Sequence, residues 1–441
     1  MGTGAKFSMS WEWESASGMK LDEHRVTWAR LEISAGGETV TRIEDLDSGS
    51  SRRSVFVPLY PLAEWISFNW WILLHNSRLS RPDAVANFDR LRLVDPGYKR
   101  NNFRSIGDGF AWPDLVIYSA GAHTNISWRP YSSPVARWKI RYIGAGDCSV
   151  DSQDLRTELA RFVDSVIVRL EECGVRGTAL QNEWESITGA DPEEEQYCRA
   201  AARLGLDPYS EAAKHESEIL RVAEEVPEAL LGDFMDAVDI SRTPESLDWI
   251  SRCMRAVDVS ASEPLADVRS IRSALTARRA SVSPFKPWES GWAQARAARG
   301  AASLGPLQRF SPGDYFEVSE IPSPEDRIQA FGKNSGQGGK LIVGAPQGNA
   351  RTRNFLLGRA LWHSVAEPEN RFLVTNSYTD RQKTERAFAA ELLAPASGIA
   401  ELLKKDPWAA SLDDIDEVAE HFQVSSVLIK HQIENQLMSA G

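Results

Sequence analysis

The sequence predicts an α+β protein with several domains. Runs that alternate apolar and polar residues, as strands with one buried face do, are concentrated before residue 148. From residue 149 onward, apolar residues recur every three or four positions, which is the spacing of amphipathic helices. Strand-like and helix-like runs are interleaved after residue 285. Since 441 residues exceed one ordinary core, we expect three domains, at 1–148, 149–284 and 285–441.

The first region is predicted to be β-rich with one prominent helix. The helix is expected over 61–76, where apolar residues form one stripe and a proline occupies the first turn. Nine of the chain's 15 tryptophans lie between residues 11 and 138. We interpret them as core residues; the alternative is an aromatic pocket or a partner-binding face. Strands are expected at 7–13, 24–34, 115–120, 124–128 and 136–144.

The second region is predicted to be a helical connector, followed by a linker at 281–289 (SVSPFKPWE). We identify no motif within residues 1–280 that points to a function, so the role of this part stays open. Helices are expected at 149–174, 192–205, 210–225, 227–238, 243–257 and 263–279.

The third region is predicted to contain a short sheet with helices. The glycine-rich segment GKNSGQGGK (332–340) runs into the strand-like KLIVG (340–344), so it is interpreted as a hairpin loop rather than a phosphate-binding loop. The helix-like RNFLLGRALWHSVA (353–366), an apolar run RFLVTNS (371–377) and the helix-like DRQKTERAFAAELLAPA (380–396) follow in that order.

Two segments of this region resemble the ImmA/IrrE family of metallo-endopeptidases. FAAELLAP (388–395) matches the family's FAAELL-x-P helix, and PWESGWAQARAARGAASLG (287–305) is similar to its leading helix. The resemblance covers about 287–441. It implies a zincin-like domain in which an H-E-x-x-H helix lies upstream and a glutamate supplies the third zinc ligand. It also implies regulatory settings in bacteria: stress responses, mobile elements, toxin–antitoxin pairs or phage defence.

The zinc motif itself is degenerate. Aligning its preceding phenylalanine with Phe355 places the five motif positions on residues 359–363. Arg359 then replaces the first histidine, and a guanidinium offers no lone pair to a metal. Ala360 replaces the glutamate that would act as base. His363 alone is retained.

The third-ligand position falls on Gln382, with Glu385 close by. We therefore expect neither zinc nor catalysis, and we predict a pseudopeptidase that binds a protein or peptide. In that hypothesis Arg359, Glu385 and Glu391 are candidate partner contacts; alternatively, Arg359 pairs with Glu385 or Glu391 of its own chain. A second hypothesis is an active peptidase whose zinc ligands are rearranged onto His363, Glu385 and Asp380.

The segment 413–436 predicts a helix-turn-helix with its turn at Val424–Ser425. DNA binding would require cations on the second helix, which offers Lys430 and His431. Residues 401–441 contain eight acidic and three basic side chains. The tail therefore favours a protein contact over DNA, and a DNA-associated regulator is the third hypothesis.

The overall composition excludes some classes of protein. The net charge is −12, which disfavours general coating of nucleic acid. The longest apolar run, 65–74, is shorter than a membrane span and contains Asn69. The first fifteen residues show no signal-peptide layout, and the four cysteines lack metal-binding spacing. We expect a cytoplasmic protein with no membrane partner.

Overall fold

The protein is a mixed α+β molecule with several small sheets, as the sequence predicts. It divides into two compact units, Met1–Ile219 and Leu220–Gly441, whereas three domains were expected. The predicted connector is shared between the units because its first helices and its last helices pack into different cores. The computed structural model describes residues 5–78, 96–132, 139–258, 266–276, 286–335, 338–344, 348–367, 369–404 and 406–438.

The first unit contains small antiparallel sheets and helices that share one core. Its sheets have the strand orders β1-β2-β3 with β6 also on β2, β5-β4-β10-β9, and β11-β8-β7. The strands are β1 (Phe7–Trp13), β2 (Trp28–Ala35), β3 (Glu38–Thr39), β4 (Ile43–Asp45), β5 (Ser51–Arg52), β6 (Val55–Pro58), β7 (Asp114–Ser119), β8 (His123–Arg129), β9 (Tyr131–Ser132), β10 (Ile140–Tyr142) and β11 (Gly146–Asp151). The helices are α1 (Asp22–Val26), α2 (Tyr60–Phe68), α3 (Trp70–His75), α4 (Pro96–Lys99), α5 (Ser152–Glu172), α6 (Ala179–Gly189), α7 (Pro192–Arg203) and α8 (Glu216–Glu225), within which the boundary between the units falls.

Two local predictions for this unit need correction, and one helix was not predicted. The helix expected over 61–76 is two helices, because the Asn69 side chain donates to the Trp65 carbonyl at 2.8 Å and ends α2. The strand expected from residue 24 begins only at Trp28, after α1. Helix α6 was not predicted, although Thr178 and Gln181 form a capping box before it.

The tryptophan-rich region is largely core. Trp70, Trp71, Trp112 and Trp128 are buried, which confirms the interpretation for these side chains. Trp11 packs edge-on against a phenylalanine of α5 at 5.3 Å, so the predicted connector's first helix covers the β-rich region. Residues 136–138 of the strand expected at 136–144 lie outside the described residues.

The second unit contains a four-stranded sheet of order β12-β14-β13-β15. Strands β12 and β14 are parallel, and the other two pairs are antiparallel. The β13–β14 pair confirms the hairpin interpretation of the glycine-rich segment. The strands are β12 (Phe316–Glu320), β13 (Ile328–Asn334), β14 (Gly339–Val343) and β15 (Arg371–Thr375). The helices are α9 (Glu228–Ala237), α10 (Thr243–Asp258), α11 (Arg269–Thr276), α12 (Pro287–Ala301), α13 (Ala350–Ala366), α14 (Asp380–Leu393), α15 (Ala396–Leu403), α16 (Leu412–Phe422) and α17 (Ser426–Gln432).

Close backbone approach fixes α12 against α14. A Cβ atom placed on Gly291 would lie 2.4 Å from the Thr384 carbonyl oxygen and 2.9 Å from the Phe388 nitrogen. Only glycine lets the two helices approach this closely. This contact, with the packing of α13 on α14, holds the helices that carry Arg359, His363 and Glu385.

The end of the chain forms the predicted helix-turn-helix. Helices α16 and α17 are joined through Gln423, which adopts left-handed backbone geometry with φ of 56°, and the residues up to Ser425. Ala419, Ile429 and Ile433 are buried in the small core of this segment. Within the part of the chain that the structure describes, no helix is long and apolar enough to cross a membrane.

Candidate functional site

Helices α13 and α14 bring three of the sequence-predicted site residues together in the interior. Arg359 and His363 are one helical turn apart on α13 and therefore share a face. Both point to Glu385 of α14. Exposed fractions are 2% for Arg359 and zero for His363 and Glu385, so water does not reach this cluster freely.

Arg359 is fully engaged by its own chain. Its Nε donates to Glu385 Oε1 at 2.9 Å, and its Nη2 donates to the same carboxylate. The remaining donors reach the Gln329 side chain and the Thr375 carbonyl at the end of β15. The guanidinium thus satisfies a buried carboxylate and the end of a strand at once.

His363 joins two carboxylates through its two ring nitrogens. Its Nε2 contacts the second oxygen of Glu385, and its Nδ1 lies 2.8 Å from Glu367 Oε2. The ring stacks on Phe372 of β15, with centroids 4.8 Å apart and planes 10° apart. Because each nitrogen faces an acceptor, the imidazole fits as an imidazolium that donates from both.

The cluster continues through residues that the sequence did not reveal as site residues. Arg381 donates through Nε to Glu367 Oε1 at 2.7 Å and through Nη1 to Asp233 of α9. Glu367 lies four residues after His363, so helical spacing could have indicated it. Asp233 lies 148 residues before Arg381, and no local pattern connects them.

Charge and burial shift the pKa values of the cluster in consistent directions. Burial disfavours the imidazolium, but the charge of Glu385 and the hydrogen bonds to Glu367 and Glu385 outweigh it and raise the pKa of His363. Burial opposes ionisation of Glu367 as well, yet the hydrogen bonds from His363 and Arg381 lower its pKa to about 2. The pKa of Glu385 is lowered in spite of burial, because Arg359 and His363 stabilise its charge.

Asp233 shows the opposite balance. Its pKa is raised by burial, which Arg381 offsets only in part. The cluster therefore pairs three cationic side chains with three carboxyl groups, and these six residues contact mainly one another. Its members are Arg359, His363, Arg381, Glu385, Glu367 and Asp233.

These residues do not fit a zinc ion. A metal on His363 Nε2 and Glu385 would have to replace the hydrogen bond between them, beside a guanidinium held 2.9 Å from the same carboxylate. Glu367 faces the other ring nitrogen, so it cannot complete a site at Nε2. Across the described ranges, no group of three or more His, Cys, Asp or Glu side chains could hold a metal ion.

The other predicted site residues have structural contacts. Ala360 is buried and offers no acid or base. Gln382 forms the capping box of α14 with Thr379, and its Nε2 donates to Asp233 at 2.8 Å. Its amide thus supports the cluster without contacting His363.

Glu391 belongs to a separate contact. It accepts from Arg296 of α12 at 2.9 Å and from Gln432 and Gln436 at 3.0 and 2.8 Å, so it ties the tail to α14. Arg359, Glu385 and Glu391 therefore all have contacts within the chain, and the partner contacts expected for them stay a prediction. Arg359 pairs with Glu385, which is the alternative stated from the sequence.

Comparison of the chain with models of known families, with curated proteins and with solved structures finds no match.

Proposed function

We propose that residues 285–441 form a metal-free scaffold of the ImmA/IrrE, zincin-like type that binds a protein partner without cutting it. The setting we infer is bacterial regulation: stress, mobile elements, toxin–antitoxin pairs or phage defence. The observation that supports this most is the internal pairing of Arg359 with Glu385 at the motif positions where a metallopeptidase would bind its ion.

The electrostatics of the cluster support the proposal. A buried glutamate and histidine that once bound Zn²⁺ would leave an uncompensated carboxylate after loss of the metal, which costs several kcal/mol. A guanidinium at position 359 supplies the missing positive charge to Glu385. It supplies no Lewis acid and no activated water, and Ala360 supplies no base.

The two other hypotheses have weaker support. In the rearranged peptidase, Asp380 would have to join His363 and Glu385. Asp380 lies at the first position of α14, five residues before Glu385 and so on a different face, with Lys383 Nζ at 3.4 Å. In the DNA-associated regulator, Lys430 would contact phosphates, yet Glu434 lies 3.8 Å from its Nζ.

Metal analysis of Arg359 variants tests the proposal. Zinc content is measured by mass spectrometry on chelator-free protein, for wild type, Arg359→His and Arg359→Gln. Arg359→His restores two histidines one turn apart that face Glu385, so we expect it to bind close to one zinc per chain. Wild type and Arg359→Gln should bind far less, and wild type should not cleave casein.

Either of two results overturns the proposal. Stoichiometric zinc with casein cleavage in the wild type would favour the rearranged peptidase. Arg359→His that is folded by circular dichroism, yet binds no more zinc than Arg359→Gln, would mean that the scaffold is not a former metal site.

A further inference from the structure

A cleft of about 590 Å³ opens on the side of α14 that carries Lys383, Arg386, Ala387 and Ala390. Its other walls come from α12, the first turns of α13, and α17. All of these elements belong to the second unit. The cleft is separate from the buried cluster, because no residue of that cluster lines it.

The cleft is basic although the chain is acidic. Arg351, Lys383, Arg386 and His431 line it, and the described residues that form its walls include no Asp or Glu. This contrasts with the net charge of −12 for the whole chain. A local positive potential on an acidic protein attracts an anionic partner selectively.

The cations of the cleft differ in how firmly their own chain holds them. Arg351 pairs with Glu420, whose side chain is 66% exposed. Lys383 Nζ lies 3.4 Å from Asp380. The Arg386 guanidinium lies 4.9 Å from the centroid of the Tyr378 ring and donates to the Ser377 carbonyl at 2.8 Å. An exposed pair such as Arg351 with Glu420 contributes about 0–1 kcal/mol, so a carboxylate of a ligand can replace Glu420 at little cost.

Aromatic side chains give the cleft an apolar floor. Trp288, Trp292, Phe355 and Tyr378 line it, and Trp288 remains 39% exposed. Val427 of α17, also in the wall, is 64% exposed. Exposed tryptophan and arginine around a concave apolar surface are the composition of binding hot spots.

We infer that this cleft binds an acidic peptide segment of a partner protein, with one apolar side chain anchored against Trp288 and carboxylates on either side. The inference rests on the proposed function, to which it adds the binding surface and the chemistry of the partner. A peptide is favoured over nucleic acid because the cleft is compact and aromatic. Binding along the phosphates of a nucleic acid would need a row of cations instead. Lys430, on the same helix as Val427, lies near Glu434 instead.

Fluorescence anisotropy with synthetic peptides tests the inference on the full-length chain. The probes are labelled decapeptides with a central Leu, Phe or Trp flanked by Asp and Glu, and matched peptides with Asn and Gln in place of the acids. We expect micromolar binding of acidic peptides that weakens as salt is added, and at least tenfold weaker binding of the neutral set.

Matched variants locate the site. Trp288→Ala and Lys383→Glu should each weaken binding by about tenfold or more, since they remove the anchor and reverse a charge in the cleft. Trp408→Ala and Lys430→Glu change exposed side chains of the same types outside the cleft walls, and should stay within about twofold of wild type.

Several outcomes overturn the inference. These are no binding of any acidic peptide, equal binding of the neutral set, or loss of binding in the control variants alone. Tight binding of a labelled oligonucleotide that Lys383→Glu abolishes would assign the cleft to nucleic acid. A dimer in sedimentation that Trp288→Ala dissociates would assign it to a second copy of the chain.

The failure of this inference is distinguishable from that of the proposed function. Acidic peptides that bind in the cleft of a zinc-loaded, casein-cleaving protein would leave the cleft assigned and the scaffold proposal wrong. If the protein contains no zinc, does not cleave casein and does not bind the acidic peptides, the scaffold proposal still holds and the assignment of this cleft is wrong.

Discussion

Helix α14 presents two faces that use charge in opposite ways. Glu385, on its inner face, is fully buried and paired with Arg359 and His363. Lys383 and Arg386, on its outer face, border an open cleft. The inner face thus completes its electrostatics within the chain, and the outer face offers cations to something outside it.

The comparison shows how one helix can combine a face that stabilises the fold with a face that is open to a ligand. Buried charges must be compensated wherever they lie, so Arg359 is tied to Glu385 and cannot be replaced alone. Charges at a cleft are screened by water and can exchange partners. We therefore expect substitutions on the inner face to change stability and substitutions on the outer face to change binding.

The strongest test removes the inner cation. Arg359→Ala should lower the local free energy of unfolding by about 3–5 kcal/mol, because it leaves a buried carboxylate without its main partner. Lys383→Ala on the outer face should cost about 1 kcal/mol or less. Hydrogen exchange of peptides from α13 and α14, followed by mass spectrometry, measures both changes without requiring two-state unfolding of the whole chain.

Equal losses in the two variants would contradict the distinction between the faces. A loss in Arg359→Ala with unchanged exchange in α14 would show that Glu385 is not held by Arg359 in solution.

The second test separates α12 from α14. Gly291→Ala inserts a methyl group where the Thr384 carbonyl lies 2.4 Å away, and should destabilise the second unit by about 1–3 kcal/mol. Gly300→Ala, in the same helix, meets no atom within 4 Å and should stabilise by up to about 1 kcal/mol. Urea unfolding followed by circular dichroism compares the two variants with wild type. Opposite signs are expected, and stabilisation by both would contradict the close approach.

The sequence predicted the elements of the second unit better than the contacts of its site. The strands and helices around Phe355, the hairpin after β13 and the helix-turn-helix follow from local apolar spacing and turn residues, and the structure contains them. The pairing of Arg359 with Glu385 was named as one alternative, since both lie near the degenerate motif. Arg381 and Asp233 are 148 residues apart, and the spacing of apolar residues along the chain does not predict a contact between them.

The division of the chain into units differs from the expected domains for the same reason. Helix α5 has the pattern of an ordinary amphipathic helix, and its apolar face does not reveal that it packs on β1 and α2. The boundary between the two units falls within α8, which the sequence indicates to be one continuous acidic helix. The choice of tertiary partner, which decides domain membership, is made by non-local packing.

A third test uses pH to loosen the inner face. His363 has a raised pKa in the folded state, so its contribution is fully present below about 6.5 and is lost as pH rises through the folded pKa. Glu367 has a lowered pKa, so its contribution is present above about 4.5 and is lost as pH falls toward about 2. When pH rises and His363 loses its proton, the free energy of unfolding should fall by less than in Gly291→Ala, because Arg359 and Arg381 still compensate the carboxylates.

Calorimetric melting of wild type and His363→Asn at intervals from pH 6 to 9 checks the alkaline limb. The difference in melting temperature between the two proteins should shrink as pH rises. A constant difference would mean that His363 is neutral in the folded state over this whole range.

The smallest expected effect is on the outer face. Trp288→Ala removes a side chain that is 39% exposed and so loses less apolar burial than a core residue does; the local free energy of unfolding should fall by about 1 kcal/mol. Phe388→Ala, one helix away and completely buried, should cost about 3–5 kcal/mol by leaving a cavity. Hydrogen exchange of α12 and α14 peptides measures both. If Trp288→Ala destabilised α14 as strongly as Phe388→Ala, the tryptophan would be part of the core, and its exposure would no longer support a binding face on this side of the helix.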